Sequence, residues 1–168
     1  MPKNVVSEDI TLSKDYTALE RRSIGRDIIE YLRDRTKSGR GEGGREWKGK
    51  AGEYSKSYKS SIDYKLKAQK GTVDLTLSGD MLTAIEVIQN KKGKLQIGIP
   101  FGASEWGRGK GNILGSYGGN PNSSKERPFL KLSSQEVKDI LSNYPLDDKG
   151  RKKNEDKLKQ QDSILRGS

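Results

Sequence analysis

The chain of 168 residues contains neither cysteine nor histidine. Without cysteine there is no disulfide, no thiolate nucleophile and no thiolate metal site, a composition compatible with the cytosol. Without histidine the usual general base near neutral pH is missing, together with every Ser-His or Cys-His pair and the commonest zinc ligand. These two absences remove most enzyme mechanisms, so a non-catalytic role without cofactor or metal is expected. Apolar residues are also scarce, 30% of the chain against 33% charged, which predicts a small core, long solvent-facing segments and burial completed by partner subunits. No apolar run approaches the roughly 20 residues of a membrane span, and MPKNVVSEDI lacks the apolar stretch of a signal peptide. A soluble, unexported chain with no membrane contact is expected.

Charge is what the chain has in quantity. Lys and Arg number 33 against 23 Asp and Glu, a net +10, which favours anionic partners and leaves nucleic acid, acidic protein and anionic lipid all open. Both signs are scattered rather than blocked, which is also the pattern of an ordinary mixed-charge soluble surface. The length suits one domain.

The periodicities predict an α+β fold: an N-terminal amphipathic helix, a small antiparallel sheet with a β-hairpin, a C-terminal helix, a long Gly-rich loop and extended arms. Residues 1–12 read as an arm and 13–145 as a single α+β domain. Within that domain 38–71 form an extended connector and 101–126 a long loop, and 146–168 are a charged tail, either disordered or a polar helix. From Ser13 to Lys37 the apolar positions Leu19, Ile24, Ile28 and Leu32 recur near helical spacing. Ser13 or Thr17 caps that helix, Thr17 forming a capping box with Glu20, and Gly39 ends it. TVDLTL alternates as a half-buried strand, with Val73, Leu75 and Leu77 on one face. Ser78 caps a short helix through Met81 and Leu82, which gives way to a strand near Ala84, and AIEVIQ-NKKG-KLQIGIP is a hairpin. In ERPFLKLSSQEVKDIL, Pro128 marks an edge strand or strand exit, Phe129, Leu130 and Leu132 supply apolar area, and Ser133 with Glu136 forms the capping box of the last helix.

Chemistry motifs fail on context. Gly39, Gly41 and Gly44 match G-x-G-x-x-G but follow a helix and open a polar connector, the reverse of a dinucleotide-binding turn. GREWKGKA matches a phosphate loop except that Ala51 stands where Ser or Thr must hold magnesium. Asp147 and Asp148 sit in a polar tail with nothing to shift their pKa. YSKSYKSSIDYK interleaves tyrosines with lysines, a pattern that serves stacking on a single strand and equally the docking of rings on a neighbouring surface. Trp106, in the Gly-rich loop beside Arg108 and Lys110, is either a partner hot spot or folds back onto the hairpin. The candidate interface residues are Trp47, Tyr54, Tyr58, Trp106, Arg108 and Arg127. Arg127 is expected near the surface, so that Arg127→Ala spares the fold and weakens assembly while Phe129→Ala lowers the melting temperature.

Three stretches together resemble a family. DLTLSGDMLTAI resembles the Leu-x-Leu-Ser/Thr-Gly-x-Leu signature of tailed-bacteriophage virion-morphogenesis and tail-completion proteins, carried here by Leu75, Leu77, Ser78, Gly79 and Leu82. ERPFLKLSSQEVKDIL resembles their Arg-Pro-Phe-Leu-x-Leu-Ser run, carried by Arg127, Pro128, Phe129, Leu130, Leu132 and Ser133. GREWKGKAGEYSKSYK looks like the aromatic segment that often precedes them, and the three cover roughly Gly44 to Leu141. The chain departs from the pattern after the hairpin, where the histidine of some members is missing and the loop Gly102–Lys125 is enlarged. The resemblance implies a structural virion subunit of the neck or head-tail connector, with no reaction. It implies a self-assembled ring, six-fold in the family, at the head-tail junction or the top of the tail tube. The partners implied are neighbouring neck, connector, tail-tube or terminator proteins, with a lumen that could present lysines to DNA. Assembly would take place in the host cytoplasm. The alternative is a basic nucleic-acid-binding module.

Overall fold

A computed structural model describes residues 6–54, 56–62, 80–116 and 120–152 and, singly, Lys65, Val73, Leu75, Asp156 and Gln160. The fold is α+β. Helix α1 spans Ala18–Lys37, and its start is the capping box expected of Thr17: Glu20 N donates to Thr17 Oγ1 (3.2 Å) and Thr17 N to Glu20 Oε2 (2.7 Å). Gly39, just past the Ser38 C-cap, takes φ 74°, the left-handed conformation that ends a helix without a Cβ penalty. Ile24, Ile28, Ile29 and Leu32 make its buried face.

That face lies on an antiparallel sheet of order β1-β3-β2, with β1 Ser7–Thr11, β2 Glu86–Lys91 and β3 Lys94–Gly98. The predicted hairpin is β2–β3, closed by Lys92 and Gly93 with Gly93 at φ 82°, and Leu95, Ile97 and Ile99 are fully buried. β2 carries a bulge between Val87 and Gln89. A Cβ on Gly25 would stand 2.7 Å from Val87 Cγ2, so the missing side chain is what brings α1 down onto β2.

Several expectations are corrected. The arm at 1–12 contains strand β1, paired with β3 from Ser7↔Gly98 to Thr11↔Lys94. Glu8 breaks its apolar alternation, so the hydrogen-bond ladder offered by β3, rather than local pattern, makes it a strand. The Gly-rich loop contains a helix, Trp106–Leu114. In TVDLTL, Val73 and Leu75 are both buried as expected, but Leu75 has φ 52°, which no regular strand contains. Leu77, Ser78 and Gly79 lie outside the described residues.

The connector holds 3-10 turns at Glu42–Gly44 and Gly49–Ala51 and one helical turn, α2, at Lys56–Lys59, and so is not simply extended. The predicted short helix is α3, Asp80–Thr83. The loop helix becomes α4, Trp106–Leu114, and the last predicted helix is α5, Ser134–Leu141, with its Ser133–Glu136 capping box intact. Arg127 to Leu130 form a turn closed by Lys131 N to Pro128 O (3.1 Å), not a strand. The tail begins with a helical turn over 148–152. Among the described residues no helix is long and apolar enough to cross a membrane.

Helix α4 forms despite three glycines, each of which weakens a helix by about 1 kcal/mol relative to alanine. A Cβ on Gly109 would stand 2.6 Å from Val6 Cγ1 and 3.0 Å from Ile99 Cδ1. The bare backbone is therefore the contact surface, and the helix is held by its seat on the end of the sheet and Phe129. Gly115, at φ 61°, terminates it.

Candidate interaction surface

Three of the residues expected at an interface turn inward. The Arg127 side chain is buried: Nε donates to Ala51 O (2.6 Å), Nη1 to Asn112 Oδ1 (3.2 Å) and Nη2 to Glu53 O (3.3 Å). The reason is the connector, whose tight turns leave carbonyl oxygens without ladder partners and so create acceptors that a five-donor guanidinium satisfies. Arg127 is thus an internal strut between α4 and the connector, not a surface group awaiting an acidic partner. Tyr54 is buried in the core, and Trp47 is half-buried against it with the indole over Gly41. For Tyr54 the docking alternative holds; the side chain of Tyr58 lies outside the described residues.

Of the residues that carry the resemblance, Leu75, Leu82, Phe129 and Leu130 lie in one core, Leu132 packs against it half-buried, and Pro128 precedes it in the turn. Beside them lies a charged cluster that sequence reasoning missed. Glu136 Oε1 accepts from Tyr31 Oη (2.7 Å) and Arg35 Nη1 (2.9 Å), while Oε2 accepts from Ser133 N (2.7 Å) and Gly43 N (2.9 Å). Arg35 also donates from Nη2 to Phe129 O (2.8 Å). The carboxylate therefore ties α1, the connector and α5 together, and Arg35 adds the Phe129 turn. Burial alone would raise its pKa, but the hydrogen bonds from Tyr31, Ser133, Gly43 and Arg35 outweigh it and hold Glu136 at about 2 instead of 4.5. The 3.6-residue pattern carries a signal here only in retrospect: Arg35 sits two turns beyond Ile28, on the apolar side of α1.

Arginines elsewhere on α1 are similarly occupied. Arg33 donates to Leu82 O (2.9 Å), Thr83 O (3.0 Å) and Ile85 O (3.2 Å), capping α3. Arg21 reaches Asn90 Oδ1 and Tyr16 O, each at 2.6 Å.

Trp106, by contrast, lies at the surface and brings Phe101 with it, while exposed Arg108, two residues along α4, does not share its face of the helix. A turn after β3, closed by Ala103 N to Pro100 O (3.1 Å) with Gly102 at φ 91°, leaves Phe101 78% exposed. Its ring meets Trp106 edge to face, centroids 5.0 Å apart at 82°. Lys110, one turn along α4, places Nζ 5.3 Å from the Trp106 centroid. Arg108 bridges Glu105 at 3.1 Å with its side chain 59% exposed. Trp106 itself is half-buried against the core, in keeping with the reading that it folds back, and the exposed Phe101 ring rests against it. The result is an aromatic ledge with one cation, Lys110, over it, a composition found at binding hot spots. Phe101 had a signal of its own, an aromatic placed between Pro100 and Gly102, where no strand face exists to bury it.

Among the described residues no group of three or more acidic side chains is placed to hold a metal ion. Comparison with protein-family models, with curated proteins and with solved structures finds no match for this chain.

Proposed function

We propose that the chain is a structural virion subunit of a tailed bacteriophage, a tail-completion or neck component that works as a ring at the head-tail junction. The observation that carries this reading is the resemblance of DLTLSGDMLTAI and ERPFLKLSSQEVKDIL, in that order, to the two family signatures. Two features support it. The described parts of both signatures serve one core, and the exposed Phe101–Trp106 pair gives a small subunit an apolar foothold for a neighbour. The role is architectural, with assembly in the host cytoplasm and residence in the virion. Light scattering and negative-stain microscopy, alone and with the adjoining connector or tail-tube protein, test it; rings are expected, and a chain that neither forms rings nor binds a virion component ends the reading.

A second reading, a basic nucleic-acid-binding module, is favoured by the Lys110 ammonium over Trp106 beside an exposed Phe101, the pairing of a stacking surface with cations. Its affinity would fall with salt at a log-log slope of about −0.9 per duplex phosphate contact. A flat salt response removes it.

A further inference from the structure

We infer that α4 is a releasable element: its docking assembles the Phe101–Trp106 pair, and the contact between Asn112 and Arg127 is its catch. The inference goes beyond the neck reading and holds whatever partner the pair meets. α4 is held to the body differently from the helices on either side of it. α1 buries Ile24, Ile28, Ile29 and Leu32 and α5 buries Ile140, but the buried positions of α4 are Gly109, Gly111 and Asn112. Its apolar side chains Trp106, Ile113 and Leu114 are half-buried. Burial of an apolar face is what chiefly stabilises a short helix, and α4 has little of it. Thr17 and Ser133 cap α1 and α5, whereas no side chain caps the start of α4, where the Glu105 carboxylate accepts from Arg108 Nη1 instead (3.1 Å).

What seats α4 is the bare backbone at Gly109 and a polar catch at Asn112. Arg127 N donates to Asn112 O (2.8 Å) and Arg127 Nη1 to Asn112 Oδ1 (3.2 Å), while Asn112 Nδ2 reaches Met81 Sδ (3.4 Å). At the far end Asn122 N donates to Leu114 O (3.1 Å). The same guanidinium also holds the connector, through Nε to Ala51 O and Nη2 to Glu53 O. When α4 lets go, those connector bonds remain, so Arg127 stays anchored and only the Asn112 half of the arrangement opens.

The ledge depends on this docking. Phe101 belongs to the turn after β3, outside the helix, and its exposed ring rests against Trp106, the first residue of α4. Release carries Trp106 away from the core and from Phe101, and the two rings no longer form one surface. A partner that binds the pair therefore draws α4 into its docked position, by no more than its preference for that position over the released one. Opening of a single weakly held element below the free energy of global unfolding is the ordinary behaviour of the low-stability end of a fold.

Amide hydrogen exchange on the full-length chain, over a urea series below the unfolding transition, tests this. Amides of α4 are expected to exchange roughly a hundredfold or more faster than those of α1 and β3, each relative to its unfolded-chain rate, and with a flatter urea dependence because a local opening exposes less surface. Asn112→Ala removes the side-chain half of the catch and should speed α4 exchange roughly tenfold. Gly107→Ala adds a methyl that meets nothing within 4 Å and should slow it roughly two- to fivefold. Equal protection and equal urea slopes in α4, α1 and β3 show a helix that leaves only with the whole domain, and overturn the inference. Exchange in α4 that neither substitution moves also overturns it, since a released helix must respond to its catch and to its own propensity. Neither outcome bears on the neck reading, which is tested separately by assembly.

Discussion

Arg35 and Arg108 stand on helices at two ends of the same core and do opposite things. Around Arg35, the α1–α5 clasp takes charge out of water: Arg35 and Glu136 have side chains only 3% and 8% exposed, and every oxygen of the carboxylate is matched by donors. Around Arg108, the α4 ledge keeps charge in water, with its side chain 59% exposed and its ion pair to Glu105 only three residues away. The first arrangement determines how elements are held to one another, since removing either partner strands the other. The second contributes little to the fold and leaves its cations available to a neighbour. Of the cations behind the net +10, Arg33 and Arg127 are engaged by backbone carbonyls inside the subunit, and Arg35 is buried with Glu136 as a neutral pair.

The contrast can be broken most sharply at Glu136. Glu136→Ala leaves a buried guanidinium without its carboxylate and should lower unfolding free energy by about 3–5 kcal/mol in urea titration. Acid should weaken the clasp in a defined window. The folded pKa of Glu136, about 2, lies below the usual 4.5, so its contribution is complete above about pH 5 and lost as pH falls toward 2. The loss amounts to about 3 kcal/mol, and it should be absent from the acid unfolding profile of Glu136→Gln. Arg127→Ala, which the sequence alone suggests would spare the fold, should instead cost about 1–3 kcal/mol, because the carbonyls of Ala51 and Glu53 lose buried donors.

Glycine substitutions sharpen the comparison within α4. Gly109→Ala overpacks Val6 and Ile99, and its strain of about 1–3 kcal/mol exceeds the helix-propensity gain, for a net loss of about 1 kcal/mol in thermal melts. Gly107→Ala meets nothing within 4 Å and should gain about 0.5–1 kcal/mol in the same experiment. At the ledge, Lys110→Ala should change stability by less than about 0.5 kcal/mol while weakening any salt-sensitive association measured by light scattering.

Legibility followed the same division. α1, the β2–β3 hairpin and α5 were readable because each carries its own instructions: a 3.6 or 2.0 apolar period, a capping box at Thr17–Glu20 or Ser133–Glu136, and Gly93 at a turn that needs positive φ. β1 was not readable, since Glu8 interrupts its pattern, and α4 was hidden by Gly107, Gly109 and Gly111. Of the candidate interface residues, Arg108 is exposed and Trp106 and Trp47 are half-buried, whereas Tyr54 and Arg127 are buried; the exposed Phe101 was overlooked.

By itself, then, the sequence determined the elements whose energetics are local, in which period, cap and turn residue all act within a few positions of one another. Only the tertiary structure decided the rest. β1 needed the open edge of β3, α4 needed a seat for Gly109 on Val6 and Ile99, and Arg127 needed the stranded carbonyls of a connector some 75 residues earlier in the chain, 76 for Ala51 and 74 for Glu53. A guanidinium has the same five donors whether it faces water or a carbonyl. Which it faces is set by acceptors that distant segments bring to it, and no local pattern records them.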